Sequence, residues 1–313
     1  MERIVTIAVL IALAAVPLLA SVFDAPFYLD LFGRVMIYAI AAISLNLIMG
    51  YGGMVSFGHA AFLGLGGYAV GILAKEGIDS GFVQWPLAIG SCALFALLTG
   101  LVVLRTSGAY FIMITLAFAQ MLFFLFTSLA EYGGDDGLTI WTRSDFAGLI
   151  DLNDGASFYY LIFALLLACL GISARLIDSR FGMVLRGAKA NERRMQAIGF
   201  PTFRYKLAAY TISGAMCGLA GALLANQAEF VGPSVLHWSR SGEILVMVVL
   251  GGMGGVAGPV LGAATYLLLS YFLADLTKHW AIIMGPLLIL VVLFARGGLL
   301  GLLSGRRAKT DAP

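Results

Sequence analysis

The chain has 313 residues, of which 61% are hydrophobic and only 12% are charged, with a net charge of +2 and a mean hydropathy of +0.97. Soluble domains have about 45–50% apolar and about 25% charged residues, so this chain cannot cover a water-exposed surface of normal polarity. The composition excludes a soluble enzyme, a nucleic-acid binder and a disordered regulator, and it predicts an integral membrane protein.

Long apolar segments follow one another along almost the whole chain. A helix needs about 20 apolar residues to cross about 30 Å of hydrocarbon. The segments do not alternate with a period of two, which favours helices over barrel strands. They lie near 4–23, 31–50, 56–74, 84–104, 108–129, 158–177, 206–227, 241–256, 257–274 and 280–300. We therefore predict an all-α polytopic membrane protein, one transmembrane domain over 1–313, with about ten helices and glycine-interrupted segments.

The first apolar segment has two interpretations. Met1-Glu2-Arg3 followed by an apolar run could be a cleaved signal peptide. The run of about 19 residues is long for the apolar part of such a peptide. We therefore expect residues 1–23 to be retained as a membrane anchor.

The loop charges predict the orientation. Loop 175–206 carries eight basic and two acidic residues, whereas loop 131–157 carries six acidic residues and one arginine. The tail 301–313 adds Arg306, Arg307 and Lys309. Basic loops remain in the cytoplasm. We therefore expect an acidic loop outside and a basic loop, a basic tail and both termini in the cytoplasm.

Few ionisable groups lie within the apolar segments. Ion-coupled carriers usually bind the coupling ion with carboxylates or histidines in such segments, and this chain offers only His59 and, near the entrance of a segment, Glu243. The chain contains no Gly-Lys pair and so no phosphate-binding G-x-x-x-x-G-K-[ST] loop. An active transporter of this kind needs power from another subunit, and otherwise the chain is a passive pore.

The three cysteines, Cys92, Cys169 and Cys217, lie inside apolar runs without paired spacing. We interpret them as small core residues and expect no disulfide, no metal site and no cofactor bound by this chain.

The basic loop, over 178–203, carries signals for two short helices. Asp178 and Ser179 can cap a first helix from Arg180, and Asn191 can cap a second that ends before Gly199. The second helix is too short to be stable alone, so it needs its own spans or a partner. An alternative is a loop that fixes topology and touches anionic lipid headgroups. The candidate docking residues are Arg186, Asn191, Glu192, Arg193, Met195, Ile198 and Gly199.

Glycine clusters interrupt two of the apolar segments, at 50–58 and 251–262. Broken helices in a membrane expose backbone groups that line protein or a water-filled path, and half-helix N-termini favour a carboxylate. Close helix packing through small residues is the alternative, and for His59 an interhelical hydrogen bond is the alternative to substrate contact. The candidate path residues are Gly50, Gly52, Gly53, Ser56, Gly58, His59, Thr115, Gln120, Gly251, Gly252, Gly254 and Gly255.

Four motifs together resemble the branched-chain amino acid ABC transporter permease family, most closely its LivM-type subunit. They are Ser44–Phe62, Gly108–Phe111 with Thr115–Phe118, Phe181–Lys206, and Leu250–Ala263. Met54 and Ala109 depart from the family pattern, where many relatives carry Gln and Pro, and this puts the substrate in doubt.

The resemblance implies an importer in the bacterial inner membrane. It implies a heterodimer with a second permease subunit, two cytoplasmic ATPases that hold ATP–Mg, and a periplasmic substrate-binding protein. Loop 180–200 would then hold the coupling helices, and the acidic periplasmic loop 131–157 could be a landing surface for the binding protein or a solvated loop. Gly214, Gly218 and Gly221 form a small-residue face for which the second permease is one candidate partner.

Two functions therefore remain from the sequence. The first is a permease subunit, without enzyme activity, that provides the path for branched-chain amino acids or related small organic anions. The alternative is a stand-alone channel or facilitator for a small polar solute, which would need no docking loop. A membrane-embedded enzyme is disfavoured because no Gly-x-Ser-x-Gly motif or second aspartate-rich motif is present.

Overall fold

The structure is a computed structural model that describes residues 2–22, 27–146, 148, 151–294 and 297–304. Helices dominate it, as predicted. They are α1 (Glu2–Val22), α2 (Phe27–Asn46), α3 (His59–Lys75), α4 (Gly81–Val103), α5 (Ala109–Ser128), α6 (Gly155–Asp178), α7 (Arg180–Ala190), α8 (Glu192–Ala197), α9 (Thr202–Ala228), α10 (Trp238–Gly251), α11 (Gly258–Leu276), α12 (Trp280–Phe294) and α13 (Gly298–Ser304). A π-helix, Leu47–Tyr51, extends α2, and short 3₁₀ turns lie at Ala130–Tyr132 and Pro233–Val235.

Within the described ranges, six helices are long and apolar enough to cross a membrane: α2 with its π-helical extension, α4, α5, α6, α9 and α11. A helix lies on each of the ten predicted segments, but α3, α10 and α12 have only 17, 14 and 15 residues. The chain is thus an all-α multi-pass protein, and the number of ten crossings stays a prediction. The segment expected near 241–256 ends as a helix at Gly251, because the following glycines leave helical geometry.

A short ribbon marks one end of the bundle. Strands β1 (Leu138–Thr139) and β2 (Phe230–Val231) pair antiparallel and join the acidic loop to the connection after α9. The Arg143 guanidinium pairs with the Glu229 carboxylate at 2.9 Å beside it. We call this end, residues 130–146 with 229–232, the acidic face, and the opposite end, with α7 and α8, the basic face.

Three sequence predictions lie partly outside the described residues. The basic tail 301–313 is described only to residue 304, so Arg306, Arg307 and Lys309 are beyond it. Residues 147, 149 and 150 of the acidic loop are also outside, as is the end of the predicted anchor at residue 23.

The small-residue face of α9 packs inside this chain. A Cβ atom on Gly221 would lie 2.0 Å from the carbonyl oxygen of Leu63 on α3, and one on Gly218 would lie 2.6 Å from Cys92 on α4. Because these glycines already contact α3 and α4, the expectation that they contact the second permease was wrong. Cys92 and Cys217 are fully buried at these contacts, as expected for core residues.

Candidate functional site

The first predicted helix break is present between α2 and α3. Residues 52–58 leave helical geometry, with Gly53 at φ +70°. Polar side chains satisfy the exposed backbone there, since the Phe57 amide donates to Thr115 Oγ1 at 3.2 Å and the Gly58 amide donates to Ser56 Oγ at 3.1 Å. The structure therefore brings Ser56, Gly58 and Thr115 together, as a break inside protein requires. Among the described contacts, the half-buried Gln120 is not part of this cluster.

The second predicted break separates α10 from α11. Gly252 and Gly254 have φ angles of +109° and +88°, which side chains rarely adopt. A Cβ atom on Gly251 would lie 1.8 Å from the carbonyl oxygen of Gly258, so Gly251 allows α11 to return tightly along α10. For Gly251 the structure therefore favours the packing interpretation.

The two breaks contact each other near the basic face. Asn46 Nδ2 donates to the carbonyl of Gly255 at 2.9 Å, and the Tyr51 hydroxyl donates to the carbonyl of Gly254 at 2.6 Å. A Cβ atom on Gly50 would lie 3.1 Å from the Gly254 amide nitrogen. Two candidate groups some 200 residues apart thus form one junction. Asn46 was not predicted from the sequence, although an amide within an apolar run is a signal for such a role.

His59 forms an interhelical hydrogen bond at the start of α3. It is fully buried, and its Nε2 lies 2.9 Å from Ser213 Oγ on α9. The Ser213 hydroxyl in turn donates to the carbonyl of Ser44 on α2 at 2.6 Å. This network joins three helices, and for His59 it favours the interhelical hydrogen bond over substrate contact.

A third interruption, which the sequence analysis missed, lies between α9 and α10. After Glu229 the chain turns back into the bundle, and the fully buried Leu236 packs on Gly64 of α3. The Ala60 amide at the start of α3 then donates to Ser241 Oγ at the start of α10, at 2.8 Å. The N-termini of two short helices therefore meet inside the bundle. Gly232 followed by Pro233 is the sequence signal that could have indicated this break.

The two helices of the basic loop form α7 and α8. Asn191 Oδ1 accepts from the Arg194 amide at 2.9 Å, which confirms the predicted cap, and Gly199 ends this turn at φ +90°. Ser179 is the N-cap residue of α7, as predicted, but its hydroxyl donates backwards to the carbonyl of Leu176 at 2.7 Å instead of capping the helix. The prediction for Asp178 is wrong, because Asp178 is the last residue of α6.

The candidate docking residues differ in how far they are exposed. Ile198 is 63% exposed, and Arg186, Asn191, Arg193 and Gly199 are also exposed on the basic face. The other two candidates, Met195 and Glu192, are half-buried.

Contacts within the chain explain why Met195 and Glu192 are half-buried. The Met195 side chain packs on Gly187. The Glu192 carboxylate pairs with Lys206 Nζ at 2.6 Å and accepts a hydrogen bond from the Thr202 hydroxyl at 3.1 Å. Glu192 therefore holds α8 against α9, a role that the sequence did not indicate.

Lys189 connects the basic loop to the first break. Its Nζ donates to the carbonyl oxygen of Gly50 at 2.6 Å, and its stem lies where a side chain on Gly53 would be, 2.9 Å from a Cβ there. A cavity of about 330 Å³ beside it is lined by residues of both the break and the loop, including Gly52 and Asn191. Lys189 was not predicted from the sequence, although its position between two alanines and two residues before the Asn191 cap was the available signal.

Comparison with known proteins identifies the family of the chain. Residues 27–303 match the family model described as branched-chain amino acid transport system / permease component. The chain is similar to the high-affinity branched-chain amino acid transport system permease protein LivM of Escherichia coli K12, with 30% identity over 87% of this chain and 69% of that protein.

Other relatives are more distant. The chain is 24% identical to BraD of Pseudomonas aeruginosa and to LivH of Escherichia coli K12, each over 84% of this chain and 91% of the relative. Both are named high-affinity branched-chain amino acid transport system permease proteins, and no solved structure matches the chain. The chain therefore belongs to the branched-chain amino acid transport system permease family.

Proposed function

We propose that the chain is a membrane-spanning permease subunit of an ATP-binding-cassette importer that moves branched-chain amino acids or related small organic anions. The observation that carries this proposal is the family match over residues 27–303, within which the helix breaks lie. The breaks support a path, because irregular backbone at membrane depth is tolerated where it is buried in protein or lines a water-filled route.

The proposed arrangement has ten crossings in the bacterial inner membrane. The charge difference between the two loops supports placing the basic face and both termini in the cytoplasm and the acidic face outside. The second permease would complete a heterodimer, and a periplasmic binding protein would deliver substrate to the acidic face. The relatives named LivM and LivH are two such permease names in one organism.

Two cytoplasmic ATPases that bind ATP–Mg would supply the energy. Their proposed contact is the exposed part of the basic loop, which includes Arg193, Ile198 and Phe200, the last of these 39% exposed. Exposed apolar side chains that lie together and are rimmed by charges mark a protein contact. Lys189 would transmit movement of this loop to the first break through the carbonyl of Gly50.

The test reconstitutes the importer in proteoliposomes and compares Ile198→Asp with Ile78→Asp. Ile78, 41% exposed, is the matched control because it lies in the connection between α3 and α4, away from the basic loop. We expect Ile198→Asp to release the ATPases from the purified complex and to abolish ATP-driven leucine uptake, and Ile78→Asp to do neither. Glu192 is unsuitable for this test because it pairs with Lys206.

The chain alone in liposomes should not concentrate leucine. Accumulation against a gradient by the isolated chain, or retention of ATPases and uptake in Ile198→Asp, would contradict the proposal. Rapid passive flux of leucine through the isolated chain would instead identify a facilitator.

A further inference from the structure

A second cavity, of about 510 Å³, opens at the acidic face, where Asp135 and Asp136 line its mouth. Its wall continues along the third interruption to Arg240 and Glu243 on the first turns of α10. Small-molecule sites have volumes of about 300–1,000 Å³, so this cavity can hold a small solute. None of these four residues was a candidate for the path in the sequence analysis.

The inner end of this cavity lies deep in the bundle. Ser241, next to Arg240, accepts a hydrogen bond from the Ala60 amide, and Ala60 is separated from Lys75 by about 22 Å of helix. Lys75 is at the acidic face, where its ammonium group contacts the carbonyl of Glu131. A charged pair at such depth is costly and marks a functional site by default.

The charges of the cavity select among substrates. Arg240 Nη1 lies 2.9 Å from Glu243 Oε2, and these side chains are 34% and 28% exposed, so both charges are partly withdrawn from water. With Asp135 and Asp136, the cavity offers three carboxylates and one guanidinium. This balance repels a simple organic anion, whose single negative charge would meet a negative wall.

A zwitterion, which carries one positive and one negative charge, is not repelled in this way. Its carboxylate can bind the Arg240 guanidinium, near the N-termini of α3 and α10, which favour negative charge. Its ammonium group can bind the Glu243 carboxylate. Phe123 and Phe230 line the same cavity and offer apolar surface to an aliphatic side chain.

We propose that Arg240 and Glu243 form a binding site for the zwitterionic head of an α-amino acid at the inner end of this cavity. The site rests on the proposed import function and deepens it, because it excludes the simple organic anions. The substrate opens the Arg240–Glu243 pair by satisfying each partner with its own opposite charge.

Direct binding is tested by thiol protection in the assembled importer. The three native cysteines are buried, so a thiol introduced by S239C at the exposed, cavity-lining Ser239 is the reactive group for a methanethiosulfonate reagent. We expect leucine to slow the labelling, and 4-methylpentanoate and 3-methylbutylamine, which each lack one of the two charges, not to slow it. Equal protection by 4-methylpentanoate, or no protection by leucine, would overturn the proposal.

Transport variants separate binding from a merely structural ion pair. We expect Arg240→Gln and Glu243→Gln each to lower the leucine uptake rate at least about tenfold, because each removes the group that binds one charge of the substrate. Asp275→Asn, which removes one exposed carboxylate near the end of α11, outside the acidic face and the cavity lining, should stay within about twofold.

The exchanged double variant R240E/E243R gives the sharpest outcome. It keeps an i,i+3 pair on α10 in the order that the helix dipole favours, so a purely structural pair predicts recovery. Our site predicts continued loss, because the zwitterion would meet its charges in reverse. Recovery of uptake in the double variant, or unaffected uptake in both single variants, would overturn the site. Absent leucine uptake by the wild-type importer would instead contradict the proposed function. The thiol-protection assay would then decide whether the site exists.

Discussion

Replacing Lys189 by Met should uncouple ATP hydrolysis from transport. Methionine keeps an unbranched stem against Gly53 but removes the ammonium group that lies 2.6 Å from the Gly50 carbonyl oxygen. A hydrogen bond from a charged donor contributes about 1.5–3 kcal/mol, and the exposure of Lys189 places this one at the lower end. Because about 1.4 kcal/mol corresponds to a factor of ten, we expect about tenfold less leucine imported per ATP hydrolysed.

The assay measures leucine uptake and phosphate release in the same proteoliposomes. Arg204→Met is the matched control, since it removes one positive charge from the first turn of α9, also near the basic face. Lys189→Met should retain both ATPases and hydrolyse ATP. An unchanged ratio of leucine to ATP in Lys189→Met would refute the reasoning, and so would loss of the ATPases, because Lys189 would then act in docking.

Two further predictions concern stability. Gly221→Ala places a Cβ atom 2.0 Å from the Leu63 carbonyl oxygen, so it should destabilise the protein by about 1–3 kcal/mol in thermal unfolding in detergent. Gly171→Ala is the control, because a Cβ atom there meets open space and should not destabilise the protein. Equal melting temperatures of the two variants would count against the α9 packing. Asp154 is the N-cap of α6, and two hydrogen bonds from Ser157 hold the pKa of its carboxyl below the ordinary value. The ionised carboxylate therefore stabilises the folded protein above pH about 4, and this stabilisation is lost as the pH falls through the lowered pKa. Asp154→Ala should therefore melt earlier than the wild type at neutral pH, and the two should converge only at strongly acidic pH, with a constant difference contradicting this role.

Local chemistry explains which features the sequence predicted. The break at 50–58 and the Asn191 cap depend on residues close together in the chain, and the structure has both. The composition predicted the all-α membrane class, because continuous apolar runs leave few other solutions.

The features that the sequence missed depend on distant partners. Glu192 gave a capping signal, yet its carboxylate is held by Lys206 of α9. Gly50 gave a signal for a break, but its contacts with Lys189 and Gly254 come from segments about 140 and 200 residues away. Periodicity and spacing describe one element at a time, so the partner of each glycine could not be read from them.

The sequence indicated Glu243 near the entrance of a segment, but it did not pair Glu243 with Arg240. In α10, Arg240 and Glu243 precede an unbroken apolar run, and a hydropathy window averages their charges with that run. Their position becomes visible only when the chain after Glu229 is seen to re-enter the bundle and Ser241 to contact Ala60. Since α3 and α10 both begin there, the N-terminal ends of their helix dipoles add positive character that no count of ionisable residues includes. A chain with few charges in its apolar segments can therefore still give a charged solute a polar route.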